Sequence, residues 1–490
     1  MRFRRLMALG AAAALVVAAC GGDDDDATTE TEAPAGTDAP ADTDAPADTE
    51  APADTEAPAD TEAPADTEAP SDTEAPAGDS DPSLQRNADG ESICGLGNGE
   101  EATGEPILAG AVMTSIPGID FTDISDLASA YFDCVNANGG IYGHPVELIV
   151  ENDELDPQKA SAAAVKLIES DGVVAMVAST SILDCPVNGP YYEEQGFYAI
   201  VAGVPAECFG LPNMAAVNMG PHYSALGAAQ AVIRAGAEGK IVAVTNTAPG
   251  SEYNSTGVEA LAAQEGLDYE AVFYETPISD ADTIILDIVS KAGEGGGVTL
   301  TFTPPEMIKL MVAAENQGVI DDVIWGSATP ANDSSVAAAV GPDWDGKLLI
   351  NAEFQPTDFD GPDTRLYNEV SAEYAPDSPV SSFGQMGFLT GRIFVSALLS
   401  MGEGAEYTPE AVNEAIVGIT KFESDIFCKP WYYGDLPLHV PNNWDITVVP
   451  DSAGGRMVPF EDCFEIAALD QPLIDTRAAE QELGLGAFAD

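Results

Sequence analysis

From Ile107 onward, short runs of apolar, β-forming residues alternate with longer stretches whose apolar positions recur at helical spacing. Nothing else in the chain limits its possible folds so much. A strand that returns parallel to its neighbour needs a crossover of a dozen residues or more, and a helix supplies it. The first run is ILAGAVM (Ile107–Met113). A helical stretch follows over 124–138, with Leu127, Ala130, Tyr131 and Val135 on one face, and Gly139-Gly140 stops it. VELIV (146–150) is the next strand, and Asp156-Pro157 opens a helix to Glu169 as cap and first-turn proline. Strand 173–178, a helix near 186–195 and strand 197–202 complete a first unit.

After Gly220 the rhythm restarts. Helices over 223–235, 255–265, 282–292 and 305–317 alternate with strands 240–245, 270–275, 298–303 and DVIWG. A short helix near 333–339 closes this unit, and KLLIN (347–351) leads back to the first. Helices near 362–374, 383–401 and 408–417 follow, and WYYGD and WDITVV have the pattern of antiparallel hairpins. The expectation is an α/β protein of two lobes, each a doubly wound, mostly parallel sheet, with chain crossings between them. Open sheets of this kind bind ligands at the C-terminal ends of their strands.

The region before this begins MRFRRLMALGAAAALVVAAC, with a positive start (Arg2, Arg4, Arg5) and an apolar stretch Leu6–Val17. That stretch is short for a permanent span and suits a secretory signal. Val17-Ala18-Ala19-Cys20 resembles the lipobox of bacterial lipoproteins, which implies cleavage before Cys20 and a lipid on its sulfur. An ordinary secretion signal with a chance cysteine is the alternative. Residues 1–20 are thus expected as a lipoprotein signal. Over 21–85 the six-residue unit TEAPAD or TDAPAD recurs without aromatic or basic residues until Arg86. Such a stretch buries too little to offset its ordering entropy. It is expected as an extended acidic tether, reaching on the order of 190 Å over about 60 residues at full polyproline-II extension.

The chain has 83 Asp and Glu against 17 Lys and Arg. Setting aside the 21 acids of residues 21–82 and the 3 arginines of the signal leaves 62 acids against 14 bases, a net of −48. That field repels nucleic acid and anionic lipid heads. It suits either a surface adapted to salt or steering of a cationic ligand, and the even spread of the acids favours the former. Six cysteines remain besides Cys20, an even number in an exported chain. Proximity in the expected topology suggests Cys94–Cys134, Cys185–Cys208 and Cys428–Cys463. The three histidines (His144, His222, His439) have no metal or triad spacing, and GEGGG (293–297) lacks the Lys-Ser/Thr of a phosphate loop. No metal, cofactor or catalytic residue is expected.

NANGGIYGHPVELIVENDELDPQKASAAAVKLI (Asn136–Ile168) resembles the first-lobe signature of type I periplasmic binding proteins. The subfamily is the one that includes the leucine/isoleucine/valine-binding proteins of ABC transporters. The likeness extends over about residues 105–470. It implies a first lobe from 105–220 and 352–428, a second from 221–351 and 429–470, and a tail over 471–490.

In that family the ligand is gripped between hinged lobes. The resemblance places Ser179, Thr180 and Ser181 after the third strand, where hydroxyls and a helix N-terminus hold an anion. It places Gly203 and Val204 in the next loop, where Pro205 removes one amide donor. Tyr253 would close from the second lobe, with Thr303, Ala328, Phe383 and Gln385 as further walls. Ala328 stands where the family often has a glutamate. Asp153 and Asp156 are expected to stabilise a turn and cap a helix rather than act as a carboxylate pair.

The function implied is capture of a small polar or amphipathic solute (amino-acid-like, amide or carboxylate) for an ABC permease. The protein would act as a monomer, lipid-anchored on the extracytoplasmic face of the cell membrane. A sensory receptor of the same fold is the rival, and a surface enzyme a more distant one.

Overall fold

The computed structural model describes residues 85–486, so the signal, Cys20 and the repeats lie outside the described residues. The first lobe is built on β1 (Ile107–Met113), β2 (Val146–Asn152), β3 (Ala175–Ser179), β4 (Ala199–Val201) and β5 (Met214–Ala216). They form a parallel sheet in the order β2-β1-β3-β4-β5. Every residue of β3 is buried, as expected for a strand covered on both faces. Its side chains alternate: Ala175 and Val177 join the core of α1 (Thr122–Ala137) and the long helix Ser382–Ser400, while Met176 joins that of α2 (Pro157–Val165) and α3 (Asp184–Gln195). Asp156 caps α2 by accepting from Gln158 N–H (2.8 Å) and Lys159 N–H (3.2 Å).

The second lobe has β6 (Lys240–Asn246), β7 (Asp268–Tyr274), β8 (Gly297–Thr301), β9 (Ile324–Ser327) and β10 (Leu348–Ala352), all parallel. Antiparallel β11 (Trp444–Asp451) and β12 (Arg456–Pro459) extend it, in the order β12-β11-β10-β9-β8-β6-β7. KLLIN is therefore a central strand of this lobe, and the chain returns to the first lobe just after it, at Glu353–Phe354. The helices α4 (Gly220–Arg234) and α5 (Ser251–Glu265) cover one face. Helices Ala281–Ala292 and Pro304–Gln317 cover the other.

Two segments lie elsewhere than the sequence suggested. Residues 429–440 pack on the first lobe, not the second: Trp431 Nε1 donates to Ala216 O (2.9 Å) and Tyr433 Oη to Ala199 O (3.3 Å). Trp431–Tyr433 of the WYYGD run are buried, and Trp431 bonds the edge strand β5 through Ala216 O. Residues 471–483, expected as tail, form a helix whose Leu473 is buried and whose Glu480 pairs with Lys429 (2.5 Å). Disulfides join Cys94–Cys134, Cys185–Cys208 and Cys428–Cys463. No helix among the described residues is long and apolar enough to cross a membrane.

Candidate functional site

Between the lobes lies a cleft that is partly open to solvent. The first lobe contributes Phe121, Thr180, Ile182, Val204, Phe383 and Met386 to its walls. The second contributes Ser224, Asn246, Asn254, Phe302, Thr303 and Thr329. Most of the lining is apolar. None of the lining residues is a lysine, arginine or histidine, and the one acid is Glu353, directly after β10.

Of the residues expected to bind ligand, Thr180, Gly203, Val204, Thr303 and Phe383 line this cleft. Ser179, Ser181, Tyr253, Ala328 and Gln385 do not, and each absence has a local cause. A bulge at the end of β3, with Ala178 in the left-handed region (φ 62°), breaks the register. Ser179 Oγ there accepts from Val112 N–H (3.1 Å). The Ser181 hydroxyl donates to Asp153 and accepts from Leu183 N–H (2.8 Å) and Asp184 N–H (2.9 Å). It is buried, and its hydrogen bonds are spent on the turn that leads into α3.

Asp153 also takes hydrogen bonds from Thr114 Oγ1 (2.9 Å) and Leu155 N–H (2.8 Å), organising the turn before α2. The N-terminus of α3, expected to favour an anion, carries the buried Asp184. Burial pushes that carboxyl up to about 6, while Asn188 and Tyr192 bond it.

Tyr253 misses the cleft because α5 begins at Ser251 rather than 255. Helical spacing then puts Ser251 and Asn254 on the cleft face and turns Tyr253 away. Its ring stacks on His222 at 4.1 Å, whose Nδ1 donates to the Tyr253 carbonyl (2.8 Å) and whose Nε2 lies 3.0 Å from Asp470. Ala328 is buried with its N–H on Leu300 O (2.9 Å), and the next residue, Thr329, faces the cleft instead. Gln385 is buried, its Nε2 donating to Gln355 O (2.9 Å).

The polar part of the cleft is a connected cluster. Asn218 clamps Gly203, accepting from its N–H (2.7 Å) and donating to its carbonyl (2.8 Å). Gly220, where the chain enters the second lobe, has φ 74°, and a Cβ there would lie 2.4 Å from Phe209. Ser224 and Thr329 hydroxyls sit 2.8 Å apart and both reach Asn351 Oδ1 (2.9 and 2.8 Å). Glu353, 1% exposed, accepts from Met219 N–H at 2.5 Å. Burial pushes its carboxyl up to about 8, against the pull of the Met219 and Thr329 hydrogen bonds. Asn246 and Glu353 sit at or just past strand ends, where the rule for open sheets directs a search. That was the signal available to find them.

The sequence model of a family described as periplasmic binding protein matches residues 111–445. No curated protein sequence gives a significant match. Among solved structures, a branched chain amino acid ABC transporter protein from Thermus thermophilus with bound valine superposes with a TM-score of 0.64 at 16% identity, covering 74% of this chain and 98% of that one. A fatty acid ABC transporter substrate-binding protein from Thermomonospora curvata gives 0.63 at 18% identity, covering 78% and 97%. An R. palustris solute binding protein in complex with benzoate gives 0.59 at 16% identity, covering 75% and 98%. At these identities the likeness is one of fold.

Proposed function

The chain belongs to the periplasmic binding protein family and has its two-lobed type I fold, and from that premise we propose that it captures a small amphipathic solute outside the cytoplasm and delivers it to an ABC permease. The observation that carries this is the interlobe cleft, lined from both lobes by apolar side chains with a few hydroxyl and amide groups among them. That is the composition of a small-molecule site. The lobes also approach each other directly: a Cβ on Gly118 of the first lobe would lie 3.3 Å from Pro277 N of the second. A solute touching both walls favours the closed arrangement by its extra contacts there, and only by those. The permease then recognises the closed form. That solved relatives of this fold are described with valine and benzoate bound supports an amphipathic ligand. The lipobox-like Cys20 supports anchoring at the extracytoplasmic face of the membrane.

Native mass spectrometry of gently purified protein should show a bound small molecule, and a thermal-shift screen should find one that stabilises the folded part. A broad panel in which no compound raises the melting temperature would sink the proposal.

A further inference from the structure

Granting that the cleft captures a solute, we propose that this solute carries an amine, and that Glu353 partners its ammonium group and releases a proton to solvent as the cleft fills. Three of the groups that the resemblance assigned to an anion are already engaged within the chain. Thr180 N–H donates to Val112 O (3.0 Å), Ser181 Oγ to Asp153, and Gly203 N–H to Asn218 Oδ1 (2.7 Å). Pro205 has no N–H, and no cationic side chain lines the cleft.

A cation meets the opposite conditions. The cavity beside the cleft shares Thr303 and Phe383 with it and is lined by Asp120, Asp123, Glu306 and Asp333. Lys309 pairs with Glu306 (2.9 Å). Burial, and then Asp126, Asp333 and Asp120, push the Asp123 carboxyl up to about 6. This negative approach draws in positive solutes and turns away carboxylates.

In the cleft itself stands Glu353, already oriented by the Met219 amide. Its titratable neighbour is Asp445 on β11, whose own carboxyl burial keeps well above the usual range. Thr329, from the loop after β9, and Asn442, which donates to the Glu353 carbonyl (3.2 Å), are uncharged. With a carboxyl near 8, the proton is held at pH 7 only about tenfold more often than not. An ammonium group a few ångströms away in a low-dielectric cleft overcomes that preference. The bound pair is then carboxylate and ammonium, and the displaced proton passes to buffer.

The test uses the full chain and matched probes: 2-phenylethylamine, 2-phenylethanol and phenylacetate, with the cyclohexyl and isoamyl equivalents. Thermal shifts should rank amines first and carboxylates last. Calorimetry of the best amine in two buffers of different ionisation enthalpy should report release of about one proton at pH 7. In Glu353→Gln, with folding checked by circular dichroism, the amine-over-alcohol preference should fall about 30-fold or more and the released proton should vanish. Stabilisation by alcohols or carboxylates with the amines inert, or amine binding without proton release in the unmutated protein, overturns the amine assignment and leaves solute capture standing. No stabilisation by any class overturns both.

Discussion

The Arg392 guanidinium meets the Asp363 carboxylate at 2.8 Å with side-chain exposures of 3% and 0%. The same guanidinium donates to the carbonyls of Gln85 and Ile93 (3.2 Å each), so one buried cation fastens the start of the described chain to the first lobe. Arg392→Ala should cost about 3–5 kcal/mol of stability, because it leaves a buried carboxylate with only the more distant Arg86 (3.5 Å) as its cation. Adding Asp363→Asn should recover part of the loss. Urea unfolding of the two variants checks both statements, and a loss below about 1 kcal/mol would show that the pair is not buried in solution.

The placements of Phe383 and Tyr253 predict opposite phenotypes. Phe383 lines the cleft and meets Phe121 edge-on at 5.8 Å. Phe383→Ala should weaken solute affinity about tenfold or more, since it removes one of the three aromatic side chains that line the cleft. Tyr253→Ala should lower stability by about 1–2 kcal/mol through the lost stacking on His222, with affinity changed about threefold at most. Titration calorimetry alongside thermal melts separates the two, and a Tyr253→Ala variant that binds poorly but melts normally would reverse the assignment.

The same pair shows what the sequence could and could not disclose. The alternation of apolar strands and amphipathic helices set the two sheets, because each strand needs both faces covered. Helix ends are less sharply encoded. Ser251–Asn254 carry no apolar stripe, so the sequence places the start of this helix at 255 and Tyr253 in the loop before it, free to reach ligand. A single left-handed residue, Ala178, decides which hydroxyl after β3 meets the cleft, and no side-chain property of alanine announces it. Between 471 and 483 only Leu473 and Thr476 are buried, too few for a visible periodicity. Glu353 could have been found from its place after a strand, but its burial depends on the crossing of chains between lobes.

Acidification should stabilise the folded part between pH 8 and about 5. Glu353 is pushed from an ordinary 4.5 up to about 8 by burial, so across that window the folded state holds a proton that the unfolded chain has lost. Stability falls as pH rises wherever the folded state binds more protons. The contribution is therefore complete below about 4.5 and gone above about 8, on the order of 5 kcal/mol as an upper bound. Asp445 is buried and shifted in the same direction. Glu353→Gln should flatten the profile of unfolding free energy against pH over this range, and a profile unchanged by the substitution would mean that Glu353 is ionised or solvated in the folded protein.

Cys20 lies outside the described residues, yet its proposed lipid has a consequence that can be separated from everything in the cleft. A permease in the membrane and a binding domain on a leash meet at an effective concentration set by the leash, in the millimolar range for short flexible linkers and falling with length. A released domain meets the permease only at its bulk concentration. Cys20→Ala should therefore shift the protein from the membrane fraction to the medium and lower uptake of the solute, while affinity measured in solution stays the same. Shortening the six-residue repeats should act on uptake alone, with the protein still in the membrane fraction. A Cys20→Ala protein that remains in the membrane fraction would show that the chain is held there by something other than a lipid on that cysteine.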